Sequence, residues 1–325
     1  MLESADYAHS VHKLRPDIVV GMGDVLFGHT PGVKRADKMG DRTLAWMKAL
    51  IAAMEDREGG TPNIALFAPI LPIEAEQQKY YLYPLEDELA ETISGLALYE
   101  AASVDAVPDS MRHLPRLYLG EVKGPHELLN AVALGVDIFT IPFITEATDA
   151  GIALDFRFPV KQRTDVKSLE PLGNDMWSSE HATNLDPLRY SCECYTCKNH
   201  HRAFVHHLLN AKEMLGWVLL QLHNHHIIDK FFAGIRQSLS NSSFESDRGL
   251  FEEHYAAELP AKTGQGPRVR GYQFKTKGRG EPRKNPPAYR ALNDRKENLA
   301  DANPLPSPGA DALDLEELGF AEMLA

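Results

Sequence analysis

All three cysteines of this chain fall within six residues, Cys192-Glu193-Cys194-Tyr195-Thr196-Cys197. Thiols this crowded either bind a metal or oxidise, and the fold must bring them together in either case. The C-x-C-x-x-C spacing supplies three of the four S or N ligands of a tetrahedral structural zinc site. No further cysteine exists, so the fourth ligand is of another type. A histidine-rich helical stretch follows, and His200, His201, His206, His207, His223, His225 and His226 are the candidates. The competing readings are weaker. One disulfide would leave an odd thiol, and a long chain has no need of a small-protein staple. A catalytic cysteine lacks a local base and orienting group.

The chain has 325 residues, 43% hydrophobic and 25% charged. That is a globular composition, enough for one large domain or two small ones. A net charge of −12 argues against a generic nucleic-acid polycation. No apolar run reaches the length of a membrane span. Met1 to Lys13 is polar and has no secretory apolar core. With clustered thiols, the expected setting is reducing and cytoplasmic.

Residues 1–160 alternate between apolar runs and helical patterns. A short helix ends near Arg15-Pro16, and a buried strand follows from Asp17 to Met22. Lys34 to Glu58 carries Met39, Leu44, Met47, Leu50, Ile51 and Met54 at the spacing of an amphipathic helix. Further strands are read at 63–70, 93–98, 117–120 and 136–141. Between them lie a partly helical segment, 74–91, interrupted by Pro84, and a helix at 125–134 that opens on a proline. This alternation predicts βαβ units and a parallel sheet.

Asp186-Pro187-Leu188, the three cysteines, and Arg202-Ala203-Phe204-Val205-His206-His207-Leu208-Leu209 resemble the zinc subdomain of the tRNA-guanine transglycosylase family. Leu114 to Gly120 and Ala131 to Phe139 resemble late barrel strands of the same family, and the likeness extends loosely over residues 5–254. It implies an α/β fold of the (β/α)8 TIM-barrel type with a zinc-binding subdomain. The family spacing places a histidine twenty-five residues beyond the last cysteine. That position is His223, so the implied ligands of one structural Zn2+ are Cys192, Cys194, Cys197 and His223. The implied division is a partial barrel at 1–160, the zinc subdomain and closing helices at 161–254, and a disordered tail at 255–325. The family also begins with further strands and an Asp-Ser-Gly-Gly-Phe motif that have no counterpart here. About five strands precede the zinc region, whereas a closed barrel needs eight. The expectation is a truncated sequence, or a partner covering an exposed sheet edge.

The catalytic elements depart from the family pattern. Catalytic members place an aspartate nucleophile directly after a Gly-Val-Asp-x-Phe segment, but Gly135-Val136-Asp137-Ile138-Phe139 is followed by Thr140. A threonine without an adjacent base is a poor nucleophile. Asp137 points to the opposite face of the strand, and Glu146 and Asp149 are expected in a loop. A Gly-Gly-Leu-x-x-Gly-Glu run becomes Ser94-Gly95-Leu96-Ala97-Leu98-Tyr99-Glu100, which puts Tyr99 where glycine would let backbone approach a base. Met22-Gly23-Asp24 shifts a base-reading aspartate by one place. Asp24 is kept as a substrate-binding candidate beside the plainer reading of a loop-capping acid.

The resemblance is therefore to the non-catalytic, accessory members, and no catalytic residue is assigned. It implies a heterodimer whose catalytic subunit exchanges guanine for queuine at the wobble position of tRNAs with GUN anticodons. The chain would contribute the zinc subdomain, a dimer surface to which His206 and His207 could belong, and part of the tRNA-binding face. Family likeness adds peripheral association with the mitochondrial outer membrane to the cytoplasmic expectation. Two alternatives remain, a self-sufficient transglycosylase and a zinc-stabilised RNA-binding protein without an enzymatic partner. The second rests on the basic, aromatic-bearing run from Lys262 to Lys296. An acidic amphipathic segment, Asp311 to Ala325, ends the chain.

Overall fold

The computed structural model describes residues 4–55, 64–160 and 168–267. These belong to one compact unit, and the basic run beyond Pro267 and the acidic C-terminal segment lie outside the described residues.

Helix α1 (Ser4–Leu14) leads into β1 (Ile18–Val20), α2 (Val33–Glu55) and β2 (Ala65–Ile70). Then come α3 (Lys79–Asp87), β3 (Gly95–Leu98), β4 (Arg116–Tyr118), α4 (Pro125–Ala133) and β5 (Ile138–Phe139). The five strands form one parallel sheet in the order β1-β2-β3-β4-β5. Spatial order that follows chain order is how a (β/α) barrel winds, whereas an open doubly wound sheet reverses at a switch point. The described residues form such a half-barrel.

Register divides the sheet into two apolar faces, as buried parallel strands require. Val19, Leu66, Ala68, Ile70, Leu96 and Leu98 pack under Ala8 and Val11 of α1, Met47, Leu50 and Ile51 of α2, and Tyr81, Leu82 and Leu85 of α3. The apolar stripe read along α2 is therefore its sheet-facing side. The other face carries Ile18, Val20, Phe67, Gly95, Ala97, Leu117 and Ile138, of which Phe67, Gly95 and Ala97 are buried.

Two expectations change. Helix α3 runs through Pro84 rather than stopping there. The proline removes only one intrahelical donor, its own carbonyl accepts from Glu88 N–H at 2.9 Å, and Tyr81 anchors the helix through a hydroxyl bond to Pro69 C=O at 2.7 Å. Glu146 and Asp149 lie in a helix, α5 (Phe143–Asp149), not in a loop. Phe143, Ile144, Ala147 and Thr148 form its buried face, and this packing outweighs the weak helix propensity of its two threonines.

The chain then forms an antiparallel pair, β6 (Ile152–Leu154) and β7 (Gly173–Asp175). Four helices complete it: α6 (Tyr195–Asn199), α7 (Arg202–Asn210), α8 (Met214–Ser240) and α9 (Phe244–His254). The helical pattern between Cys197 and His223 thus resolves into separate helices, with a reversal at Lys212 where φ is +56°. Helix α8 spans two apolar clusters. Trp217, Leu219 and Leu220 meet Val205, Leu208 and Leu209 of α7. Two to four turns later, Ile227, Ile228, Phe231 and Ile235 meet Phe156, Phe158, Phe244 and Phe251.

Candidate metal centre

The cysteine cluster is shaped by a tight turn and a helix start. Ser191 takes a positive φ of +61°, which swings Cys192 back toward α6. Cys194 is the N-cap of α6, and its Sγ accepts the Cys197 N–H at 3.3 Å. The C-x-x-C half of the motif is thus an N-cap and the third helical residue, a spacing that puts both sulfurs on one side of the first turn. Thr196 fixes α6 to α8 by donating its hydroxyl to Leu219 C=O at 2.7 Å.

His223 enters from α8, fully buried. Its Nδ1 lies 3.7, 3.5 and 3.4 Å from the sulfurs of Cys192, Cys194 and Cys197. Its Nε2 donates to Leu154 C=O at 2.9 Å. That bond fixes the tautomer, so the Nδ1 lone pair faces the sulfurs. All four donor atoms lie within 4.8 Å of one another, the only such group of three or more His, Cys, Asp or Glu donors among the described residues. In a tetrahedron with ordinary zinc–sulfur and zinc–nitrogen bonds, sulfur and nitrogen stand roughly 3.6 Å apart. The observed separations bracket that value, so the geometry fits a four-coordinate metal ion.

The acid–base chemistry of the sulfurs points the same way. Bonds from Cys192 and then Cys197 push the Cys194 thiol down to about 3. The bonds from Cys192 and Cys194, with burial, push Cys197 up. One thiolate forms readily because its neighbours donate to it; Cys197 keeps its proton, while Cys192, raised by its bond with Cys194, is lowered overall by its bonds with Cys197 and His223, so the empty cluster still holds thiol protons. A cation at the centre would replace those protons and let all three sulfurs ligate.

The remaining candidate histidines are engaged elsewhere or face outward. His200 stacks on Phe204 at 5.0 Å. His201 caps α7, its Nδ1 accepting Phe204 N–H at 3.1 Å. His206 donates from Nδ1 to Met176 C=O at 2.9 Å. His207 is exposed, and His225 pairs with Gln221 at 2.8 Å. His226 lines a cleft of about 610 Å³ together with Cys192, Arg157, Arg189 and Lys230.

At the C-terminal ends of the sheet strands the geometry differs from that of an open pocket. Asp24 follows β1, and Arg35 clamps both its carboxylate oxygens at 2.6 Å while Arg42 adds a third bond at 3.2 Å. Thr43 accepts the Asp24 N–H at 3.0 Å. The hydrogen bond from Arg35 holds the Asp24 carboxyl below its usual range. Tyr99 fills the neighbouring space so closely that a Cβ on Gly23 would stand 2.9 Å from its hydroxyl. Thr140 follows β5, exposed, and among the described residues its Oγ1 donates to Gly120 C=O alone, at 3.5 Å. Asp137 is committed on the opposite face, accepting Arg116 N–H at 2.9 Å. Sequence reading missed Arg35 and Arg42. Their seven-residue separation, two turns along one face of α2, was the available signal.

A parallel half-barrel wound in chain order, carrying a Cys3His donor set that could hold a metal ion, defines the class of protein. The profile of the family described as "TGT: Queuine tRNA-ribosyltransferase" matches residues 1–257, and the chain belongs to that family. It is 38% identical over 273 residues to "Queuine tRNA-ribosyltransferase accessory subunit 2" of Schizosaccharomyces pombe, covering 82% of this chain and 60% of that protein. The Anopheles gambiae protein of the same name is 31% identical over 255 residues, covering 73% of this chain and 58% of that protein. A "Queuine tRNA-ribosyltransferase" of Thermotoga neapolitana is 33% identical over 143 residues, covering 44% and 35% respectively. The chain thus spans about three fifths of the length of the two accessory-subunit relatives.

Proposed function

We propose that this chain is a non-catalytic subunit of a queuine tRNA-ribosyltransferase, supporting a catalytic partner that exchanges guanine for queuine at the wobble position of GUN-anticodon tRNAs. The observation that carries the reading is Thr140. A nucleophile that takes the ribose C1′ while guanine leaves must be an anion, or a hydroxyl with a base beside it. Thr140 is neither, since among the described residues its hydrogen-bond partner is a backbone carbonyl. Two further features support the reading. Asp24 has both oxygens held by arginines, leaving it little capacity to read a base, and Tyr99 occupies the space beside Gly23. The names of the relatives agree with it.

On this reading Cys192, Cys194, Cys197 and His223 hold one Zn2+. The ion supplies a cross-link rather than chemistry, because four protein ligands leave no open position. His223 joins the centre to β6 through Leu154, and Thr196 joins α6 to α8. Residues 161–254 would act as the zinc subdomain, 1–160 as part of a barrel and 255–325 as a tail. No helix among the described residues is long and apolar enough to cross a membrane. The proposed location is the cytoplasm, with peripheral association with the mitochondrial outer membrane carried over from the family.

The test is exchange of labelled guanine in a GUN-anticodon tRNA. This chain, the catalytic subunit and their mixture are assayed separately. Exchange by the mixture alone is expected, and exchange by this chain alone would overturn the reading.

A further inference from the structure

We infer that Asn224, which touches no metal-donor atom, is the positioning residue that sets the metal ligand His223. This rests on the reading above that the Cys3His group holds an ion. Asn224 follows His223 on α8 and is fully buried with it. Its Oδ1 accepts the Leu154 N–H at 2.8 Å. Its Nδ2 donates to Ile152 C=O at 3.0 Å and to Thr148 Oγ1 at 2.9 Å. Thr148 can accept because its own hydroxyl proton goes to Ile144 C=O at 2.7 Å.

These bonds complete one edge of β6. On the β7 side, Gly151 C=O accepts from Met176 N–H at 3.0 Å and Asp155 N–H donates to Leu172 C=O at 2.9 Å. Residues of an antiparallel strand alternate in the direction of their backbone polar groups. Ile152 C=O, Leu154 N–H and Leu154 C=O therefore point away from β7, toward α8. The carboxamide of Asn224 takes the first two, and the imidazole of His223 takes the third. Two consecutive side chains of a helix thus replace a neighbouring strand.

The consequence falls on the ligand. His223 Nε2 can hold the ring with Nδ1 toward the sulfurs only if Leu154 C=O stays in place. Asn224 holds both ends of that tripeptide, from Ile152 C=O to Leu154 N–H. Outer groups that orient a ligating imidazole typically change metal affinity by about 10–100-fold when removed.

The test is competition for cobalt(II) against a chromogenic chelator. The thiolate-to-cobalt charge-transfer and d–d bands report the coordination sphere directly. Four proteins are compared: the parent chain, Asn224→Leu, Thr148→Val and a core control, Leu220→Ala. Asn224→Leu is expected to weaken cobalt binding by about 10–100-fold and to alter the d–d bands. Thr148→Val, which takes one of the three partners from Asn224 together with the hydroxyl's own bond to Ile144 C=O and guards against a misfolded Asn224 variant, is expected to give a smaller weakening in the same direction. Leu220→Ala is expected to lower stability and leave affinity and bands unchanged. The assignment is overturned if both polar variants bind cobalt within twofold of the parent, or if Leu220→Ala weakens binding as much as they do. A parent chain that binds no cobalt would instead refute the metal reading on which the inference rests.

Discussion

Replacing His223 by alanine tests the centre of the argument, because the side chain serves two partners with separable consequences. Toward the sulfurs it gives Nδ1, at 3.4–3.7 Å from each. Toward β6 it gives Nε2–H to a buried carbonyl at 2.9 Å. Orphaning that carbonyl costs about 1–3 kcal/mol. An ion bound only by the folded state, at about 1,000 times its dissociation constant, contributes about 4 kcal/mol. For a unit of this size each kcal/mol moves the unfolding temperature by about 2–4 °C. Chelation should therefore lower the parent by about 8–16 °C. The variant should start lower by the orphan cost, about 2–12 °C, in addition to its lost metal contribution. If losing a ligand weakens binding at least 100-fold, the remaining metal contribution is at most about 1.4 kcal/mol, and chelator then moves the variant by under about 6 °C. The assay is thermal unfolding followed by circular dichroism on metal-loaded protein, with and without EDTA, with metal content measured alongside. If EDTA lowers the variant as far as the parent, His223 is not a ligand and the four-residue assignment fails.

Three further predictions follow from the packing and the charges. Asp24 has its folded pKa depressed chiefly by the Arg35 hydrogen bond, so its contribution is present above the ordinary carboxylate range and lost as pH falls through the lowered value. Urea midpoints of Asp24→Asn should fall below the parent's at neutral pH and converge with them in acid, and a constant gap across that range would refute the linkage. A Cβ on Gly234, inside α8, would stand 1.8 Å from Phe158 C=O, whereas one on Gly249 in α9 meets nothing within 4 Å. Gly234→Ala should cost about 1–3 kcal/mol or more and Gly249→Ala should gain up to about 1 kcal/mol, an opposition of sign that denaturant titration reads directly. Thr140→Ala should leave guanine exchange by the mixture with the catalytic subunit within twofold of the parent, and a tenfold loss would give Thr140 a role in the reaction.

What the sequence revealed and what it hid divide along the range of the interactions. The five sheet strands were legible because each is an apolar run flanked by helical periodicity, and because both faces of a parallel strand are buried. The cysteine half of the donor group was legible from its spacing, whereas His223 was singled out among seven histidines only by the family resemblance; the structure brings the four donor atoms within 4.8 Å of one another. By contrast, β6 and β7 are three residues each and carry no alternating pattern. What completes β6 is a pair of side chains about seventy residues away, His223 and Asn224. No local signal encodes such a partner. Helix α5 was hidden for a related reason, since its threonines read as loop until Phe143, Ile144 and Ala147 are seen to face the core. The Arg35 and Arg42 clamp was hidden because it links a helix to a strand end, and only the fold places the two together.

The distribution of buried polar groups favours a scaffold over a catalyst. Burying a polar side chain is unfavourable unless its hydrogen bonds are met, so a chain places such groups where geometry must be exact. Here Thr148, Thr196, His223 and Asn224 are buried and together tie α5, β6, α6 and α8 around the sulfurs. At the strand ends, where a barrel enzyme keeps reactive groups aimed at a ligand, the buried Asp24 has its carboxylate held by Arg35 and Arg42 and its backbone N–H accepted by the buried Thr43. The Cys3His donor group also sits where α8 passes from one apolar cluster, at Trp217 and Leu220, to the other, at Ile227 and Phe231. Loosening His223 would therefore disturb the packing on both sides of it.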